Sequence, residues 1–242
     1  MTGQRPLVIV TGASSGIGAA TAVAFAEHGY PLLLLARRAD AMGALNLPNA
    51  LCEAVDVVDR SAVAAAIKKA EDRYGPADCL VNNAGLMPLG QIHDQDPAEW
   101  QQLFDVNCLA LLHASQLVLP GMMERRHGTI LNVSSIAGRY TFANHTAYSG
   151  TKYAVHAMTE SMRKEYAPFG IRIAVVAPGI VRTNLLDSTS DSDIVNSYVA
   201  HRDGIGGGLP ASTVGEAMRS MYELPQEVNV RELVIAPTSQ AS

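Results

Sequence analysis

The stretch LVIVTGASSGIGAATAVAFAEHGYPLLLLARR, residues 7–38, decides the fold. Its first residues, Leu7–Thr11, are apolar or β-branched on both faces, the pattern of a strand buried on each side. A glycine-rich turn follows, Thr11-Gly12-Ala13-Ser14-Ser15-Gly16-Ile17-Gly18, and then a helical run from Gly16 to Gly29. The next run, Pro31–Ala36, is almost pure leucine. A buried strand, a tight turn, a helix and a second buried strand form a crossover unit whose two strands run parallel.

Working outward, the alternation continues. Leu51–Val55, Asp78–Asn82, Thr129–Ser134, Ile171–Ala177 and Leu233–Ala236 read as strands. Between them Ser61–Tyr74, Pro97–Glu124, Ala147–Ala167, Asp193–Arg202 and Ser212–Glu223 read as helices. The pattern predicts an α/β fold: a doubly wound, Rossmann-type parallel sheet in three layers, α/β/α, with residues 1–242 as a single domain. Ligands of such sheets bind beyond the carboxyl ends of the strands. Only residues 187–210, rich in Ser, Asp and Gly, look loose; we read them as a substrate loop within the domain.

The 242 residues are 48% hydrophobic and 17% charged, enough apolar material for one full core. A formal net charge of −5 offers no basic surface for phosphate backbones or anionic lipid, so neither nucleic acid nor membrane is an expected partner. Cys52, Cys79 and Cys108 are dispersed and odd in number, against a disulfide framework or a zinc site. The seven histidines have no ligand spacing, and no catalytic metal is expected. Gln4, Arg5 and Pro6 lead straight into the first strand with no signal peptide, and continuous apolar runs fall short of a membrane span, so a cytoplasmic location is expected.

Glycines in the first turn let the backbone turn tightly and let a diphosphate approach the helix N-terminus. Gly12, Ser14, Ser15, Gly16, Ile17 and Gly18 are therefore candidate cofactor residues. Their spacing is G-x-x-x-G-x-G, not G-x-G-x-x-G. A purely structural turn has much the same composition, so the weight lies in its place between the first strand and helix. At the end of the second strand an NAD site needs an acid for the ribose 2′-hydroxyl. Arg37 and Arg38 stand there instead. Either they are solvated surface charges or they bind a 2′-phosphate; the missing acid favours NADP.

Tyr148-Ser149-Gly150-Thr151-Lys152 opens a long helix, and positions four apart share a face. A neighbouring ammonium favours a phenolate, so Lys152 is expected to lower the pKa of Tyr148 and fit it for acid–base work. Tyr-x-x-x-Lys alone is a common surface pattern. Here Asn132-Val133-Ser134-Ser135 closes the preceding strand, Asn82-Asn83-Ala84-Gly85 closes the one before, and Asn107 lies in the helix between.

With these motifs together the sequence resembles the short-chain dehydrogenase/reductase family, in its single-domain branch, from Thr11 to Thr183 and on to a matching last strand. The resemblance implies an NADP(H)-dependent interconversion of carbonyl and alcohol on a small molecule, by a homodimer or homotetramer. It implies that Tyr148 exchanges the proton, Lys152 tunes Tyr148 and holds the nicotinamide ribose, and Ser135 orients the carbonyl. Ser134 would be a structural neighbour, and Asn107 would fix a water connecting Lys152 to solvent. Asp56 and Val57 would meet the adenine. Asn83, Ala84 and Gly85 would line the cofactor. Pro178, Gly179, Ile180 and Thr183 would receive the carboxamide. Many NADP-preferring relatives have a basic residue where Ser15 stands, so preference would rest on Arg37, helped by Arg38 and Ser14. Residues 83–90 and Arg231–Gln240 look most like 3-hydroxy-acid (serine-type) dehydrogenases and aldehyde reductases.

Several features stay open. Arg139 either clamps a substrate carboxylate or bonds loop carbonyls, and Tyr140 lies beside it. His145 assists proton relay or is a polar rim residue. Met87 and Leu89 are expected to wall the pocket, and Gly204–Gly208 is either a hinge or a plain loop. A rival reading is a catalytically idle NADP(H) sensor, which predicts damage to Asn107, Ser135, Tyr148 or Lys152; none is damaged. An isomerase or dehydratase of the longer branch is disfavoured by the short chain and the turn spacing.

Overall fold

The inner strand β1, Leu7–Thr11, and its neighbour β2, Leu32–Ala36, are buried at every position, as their unbroken apolar sequences require. They belong to a computed structural model that describes residues 5–241. The remaining strands are β3 (Ala50–Ala54), β4 (Ala77–Asn82), β5 (Gly128–Val133), β6 (Ile171–Pro178) and β7 (Glu232–Ile235). They form one seven-stranded sheet in the order β3-β2-β1-β4-β5-β6-β7. Every pairing is parallel. The chain winds outward from β1 in one direction, then returns to its other side at β4, and a crevice opens at this switch point.

Helices cover both faces: α1 (Gly16–Glu27), α2 (Ala39–Gly43), α3 (Arg60–Tyr74), α4 (Pro97–Phe104), α5 (Ala110–Arg125), α6 (Thr146–Tyr166), α7 (Ser192–Gly204) and α8 (Ala211–Glu223). Strand side chains alternate between two cores. Leu7, Ile9, Leu33 and Leu35 join Val63, Ile67, Leu111, Val118 and Val155 on one face. Val8, Val10, Leu32 and Leu34 join Phe25, Met218 and Tyr222 on the other. On that second face α1 and α8 touch closely: a Cβ on Gly215 would lie 2.8 Å from the Ala20 carbonyl carbon.

Two local departures from the sequence reading have physical causes. The five-residue α2 is too short to show a helical period. The segment Pro97–Glu124 is not one uniform helix, because a π turn at Asp105–Leu109 separates α4 from α5. By length and composition the continuous helix Pro97–Arg125 could cross a membrane, but half of its most apolar window is buried in this core.

Residues 187–210 are more ordered than a loose loop. A 3-10 turn at Leu185–Ser188 leads to α7, whose start is capped by the Asp191 carboxylate accepting from the Asp193 and Ile194 amides. Gly206, Gly207 and Gly208 then follow with φ of 86°, 83° and 81°, a conformation that side chains resist.

Candidate active site

The glycine-rich turn is sewn to the end of β4. Thr11 Oγ1 accepts from the amides of Asn83 (3.0 Å) and Ala84 (3.1 Å). Asn83 Nδ2 returns a bond to the Thr11 carbonyl at 3.0 Å. Gly12 has φ +67°, and a Cβ there would lie 2.8 Å from Ala84 Cα. A Cβ on Gly18 would run into the Gly12 carbonyl oxygen and the Asn83 amide. These glycines thus keep the turn flat against the sheet, with α1 close behind.

The start of α1 has no side-chain cap from Ser15 and no acid in its first turn. Its amides therefore form an anion-favouring surface at the crevice. Arg38 leans over the same turn, its Nη2 donating to Ser14 Oγ (3.2 Å) and Ser15 Oγ (3.1 Å). Arg37 stands beside it on the cleft wall, with no bonded partner among the described residues. The structure thus orients Arg38 and leaves Arg37 without such a partner, although the motif reading assigned Arg37 the leading part.

From this basic corner a cleft of about 940 Å³ runs along the carboxyl edge of the sheet. Asp56, Val57, Asn83, Ala84 and Gly85 border its first half. Ser135, Tyr148, Lys152, Pro178, Gly179, Ile180 and Thr183 border its second. Such a groove, flanked by amides and cations at one end, fits an extended anionic dinucleotide. Among the described residues no group of three or more His, Cys, Asp or Glu could hold a metal ion.

Asn107 sits in the π turn, which aims its amide inward. Its Oδ1 accepts from the Leu86 amide at 2.9 Å, and its Nδ2 donates to Leu86 O and Thr151 Oγ1, both at 3.1 Å. A Cβ on Gly85 would lie 3.4 Å from Asn107 Oδ1 and 3.7 Å from Lys152 Nζ, so both side chains converge on that glycine. Lys152 Nζ donates to the Val133 carbonyl at 3.1 Å. The Ser135 hydroxyl stands close enough to the Tyr148 phenol to favour its ionised form. Ser134 instead turns behind α6, donating to the Lys152 carbonyl at 3.1 Å.

One expectation is corrected here. Burial, with Tyr198 adding to it, pushes the Tyr148 phenol well above its ordinary value, and only the Ser135 hydroxyl opposes this. Burial also lowers the Lys152 ammonium to about 8. The two side chains share a face, but Nζ lies 5.7 Å from the phenol ring centroid and bonds elsewhere. In so enclosed a place the cost of stripping water from each charge outweighs their mutual attraction.

Arg139 does neither of the things its sequence position suggested. It pairs with Glu232 on β7 at 2.5 Å and does not border the cleft. Tyr140 is exposed. Met87 lines the cleft, whereas Leu89 is buried behind it with Leu103 and Ile194. Sequence reasoning did not name Phe142, Leu186, Tyr198, His201 or Arg202 as wall residues, although the last three fall within the segment 187–210 read as a substrate loop. The last three are spaced by three and four on α7, a helical face that could have flagged them. It also missed Gln240, whose Oε1 accepts from the Ile180 amide at 2.9 Å. That residue lies past the last strand, where no local pattern points to it.

Residues 6–193 match the family model of short chain dehydrogenases. An uncharacterized oxidoreductase of Staphylococcus saprophyticus subsp. saprophyticus is 36% identical over 97% of each chain. Among solved structures, the closed form of a serine dehydrogenase complexed with NADP+ is 28% identical, with a TM-score of 0.90 over 98% of this chain and 96% of that one. An alcohol dehydrogenase from the archaeon Thermococcus sibiricus, complexed with 5-hydroxy-NADP, is 26% identical, with a TM-score of 0.85 over 98% and 99%.

Proposed function

The chain belongs to the short-chain dehydrogenase family and is an oxidoreductase, and from that premise we propose that it uses NADP(H) to interconvert a carbonyl and an alcohol on a small molecule. The observation that carries this reading is the presence of Ser135, Tyr148 and Lys152 together on a cleft that also carries a basic corner, with Asn107 meeting Lys152 behind Gly85. Both solved relatives described above are NADP complexes, which supports the same cofactor here.

The diphosphate belongs against the amides opening α1, with Gly12, Gly16 and Gly18 allowing its approach. Arg37 and Arg38 take the 2′-phosphate, Asp56 and Val57 flank the adenine, and Asn83 to Gly85 line the middle. Ile180 and Thr183 face the nicotinamide end, with Pro178 and Gly179 forming the turn. The reduced cofactor supplies a hydride and the oxidised one accepts it. At the substrate oxygen, the Ser135 hydroxyl and the Tyr148 phenol both donate. Because burial keeps Tyr148 protonated near neutral pH, the chain's own groups favour reduction, in which the phenol gives its proton to the nascent alkoxide. Lys152 keeps its proton below about pH 8 and so stands as a charged neighbour while Tyr148 is recharged. The walls from residues 187–210, chiefly α7, shape the substrate end.

The direct test is NADPH consumption, followed spectrophotometrically over a panel of small aldehydes, ketones and keto acids. Turnover of at least one class is expected; none with any class would overturn the proposal.

We also place a contact with a second copy of this chain on the face carrying Phe104, Leu109 and Tyr153, which are exposed at 43%, 44% and 42%. Equilibrium sedimentation should give a dimer or tetramer, and Phe104→Glu with Leu109→Glu should reduce its mass. A wild-type monomer would refute the placement. The three cysteines are free thiols, consistent with a cytoplasmic location.

A further inference from the structure

At the substrate end of the cleft His145 stands among rings. It lies 5.6 Å from Phe142, 6.1 Å from Tyr148 at a steep angle, and 6.4 Å from Tyr198 in a stacked arrangement. Its Nδ1 is 2.7 Å from the Ala143 carbonyl oxygen. A carbonyl oxygen only accepts, so Nδ1 must carry the hydrogen. Burial holds the ring's pKa below the ordinary imidazole value, so the ring is neutral at physiological pH. In a neutral imidazole with hydrogen on Nδ1, Nε2 is an acceptor and nothing else. No protein group among the described residues bonds Nε2, while the ring borders the cleft between the rings of Phe142 and Tyr198.

We propose that His145 is a specificity-determining residue whose Nε2 accepts a hydrogen bond from the substrate, selecting carbonyl compounds that carry a hydroxyl or ammonium group next to the reacting carbon. The proposal deepens the carbonyl-reduction reading and rests on it. A 2-keto carboxylate brings only acceptors and would set lone pair against lone pair; a 2-hydroxy ketone brings the donor that the site lacks. A fixed acceptor facing the substrate discriminates because an apolar substrate leaves that acceptor unmatched.

Hydroxyacetone and butanone differ by a hydroxyl in place of a methyl group and make a matched pair. The hydroxyl also activates the carbonyl chemically. The quantity to compare is therefore the ratio of their kcat/KM values in wild type against that in His145→Phe and His145→Leu. The ratio is expected to fall ~10-fold in both variants, the loss of one matched hydrogen bond. His145→Gln, which retains an acceptor, should recover part of it. NADPH binding, read by fluorescence, should be unchanged. A ratio that stays within about twofold of wild type in the active variants overturns the role of His145 but leaves carbonyl reduction standing. No NADPH consumption by the wild type with any carbonyl overturns the underlying reading instead.

Discussion

Replacing Tyr148 by phenylalanine is expected to lower kcat for carbonyl reduction by ~10³-fold or more, with NADPH affinity changed less than about threefold. The substitution removes one oxygen and keeps the ring, so the contacts with His145 and the Lys152 ammonium remain. What disappears is the buried proton donor at the substrate oxygen. Ser135 still donates there but has no acidity to match, so its hydroxyl cannot replace the phenol. Single-turnover measurement with NADPH prebound separates the two effects. A kcat near wild type would remove Tyr148 from the chemistry. A parallel collapse of NADPH binding would mean that the phenol holds the cofactor rather than the proton. Because burial raises the phenol, reduction should also be less impaired by mild acid than oxidation, which needs the phenolate.

The second large effect is expected at the basic corner. Arg37→Ala and Arg38→Ala each remove a charge-assisted contact to a 2′-phosphate, at about 2 kcal/mol, or ~30-fold in NADPH affinity. NADH has no such phosphate, so its affinity should move less than about threefold. The Arg38 side chain is already held by Ser14 and Ser15 and pays less ordering entropy on binding. Arg38→Ala should therefore cost at least as much as Arg37→Ala, reversing the order read from the sequence. Titration by nucleotide fluorescence decides the matter: equal losses for NADPH and NADH would refute the 2′-phosphate assignment.

The sheet was legible because its strands are short, apolar on both faces and separated by helices, so period and length agree at each element. Boundaries shifted by a residue or two, as at β3, which begins at Ala50 rather than Leu51. The cleft's own motifs could be picked out too, since the first turn, Asn83 to Gly85, Ser135 and the turn at Pro178 fall just past strand ends, and Tyr148 lies in the first turn of α6. Their electrostatics could not. Spacing placed Lys152 beside Tyr148, but only the depth of burial shows that desolvation dominates both groups. Arg139 was equally opaque, because its partner Glu232 lies far along the chain on the edge strand. Gln240 reaches the Ile180 amide across a similar gap. Contacts of this range leave no trace in a local pattern.

The widened turn at Asp105–Leu109 has a mechanical corollary. One surplus residue in a helix advances everything on one side of it by about 100° around the axis relative to an unbroken spiral. Phe104 and its neighbours therefore look in a direction that the apolar stripe of α5 would never have assigned to them. Removing a single residue there would spare the helix yet swing the Asn107 amide away from Leu86, so this segment is far less forgiving of length changes than of changes in side chain.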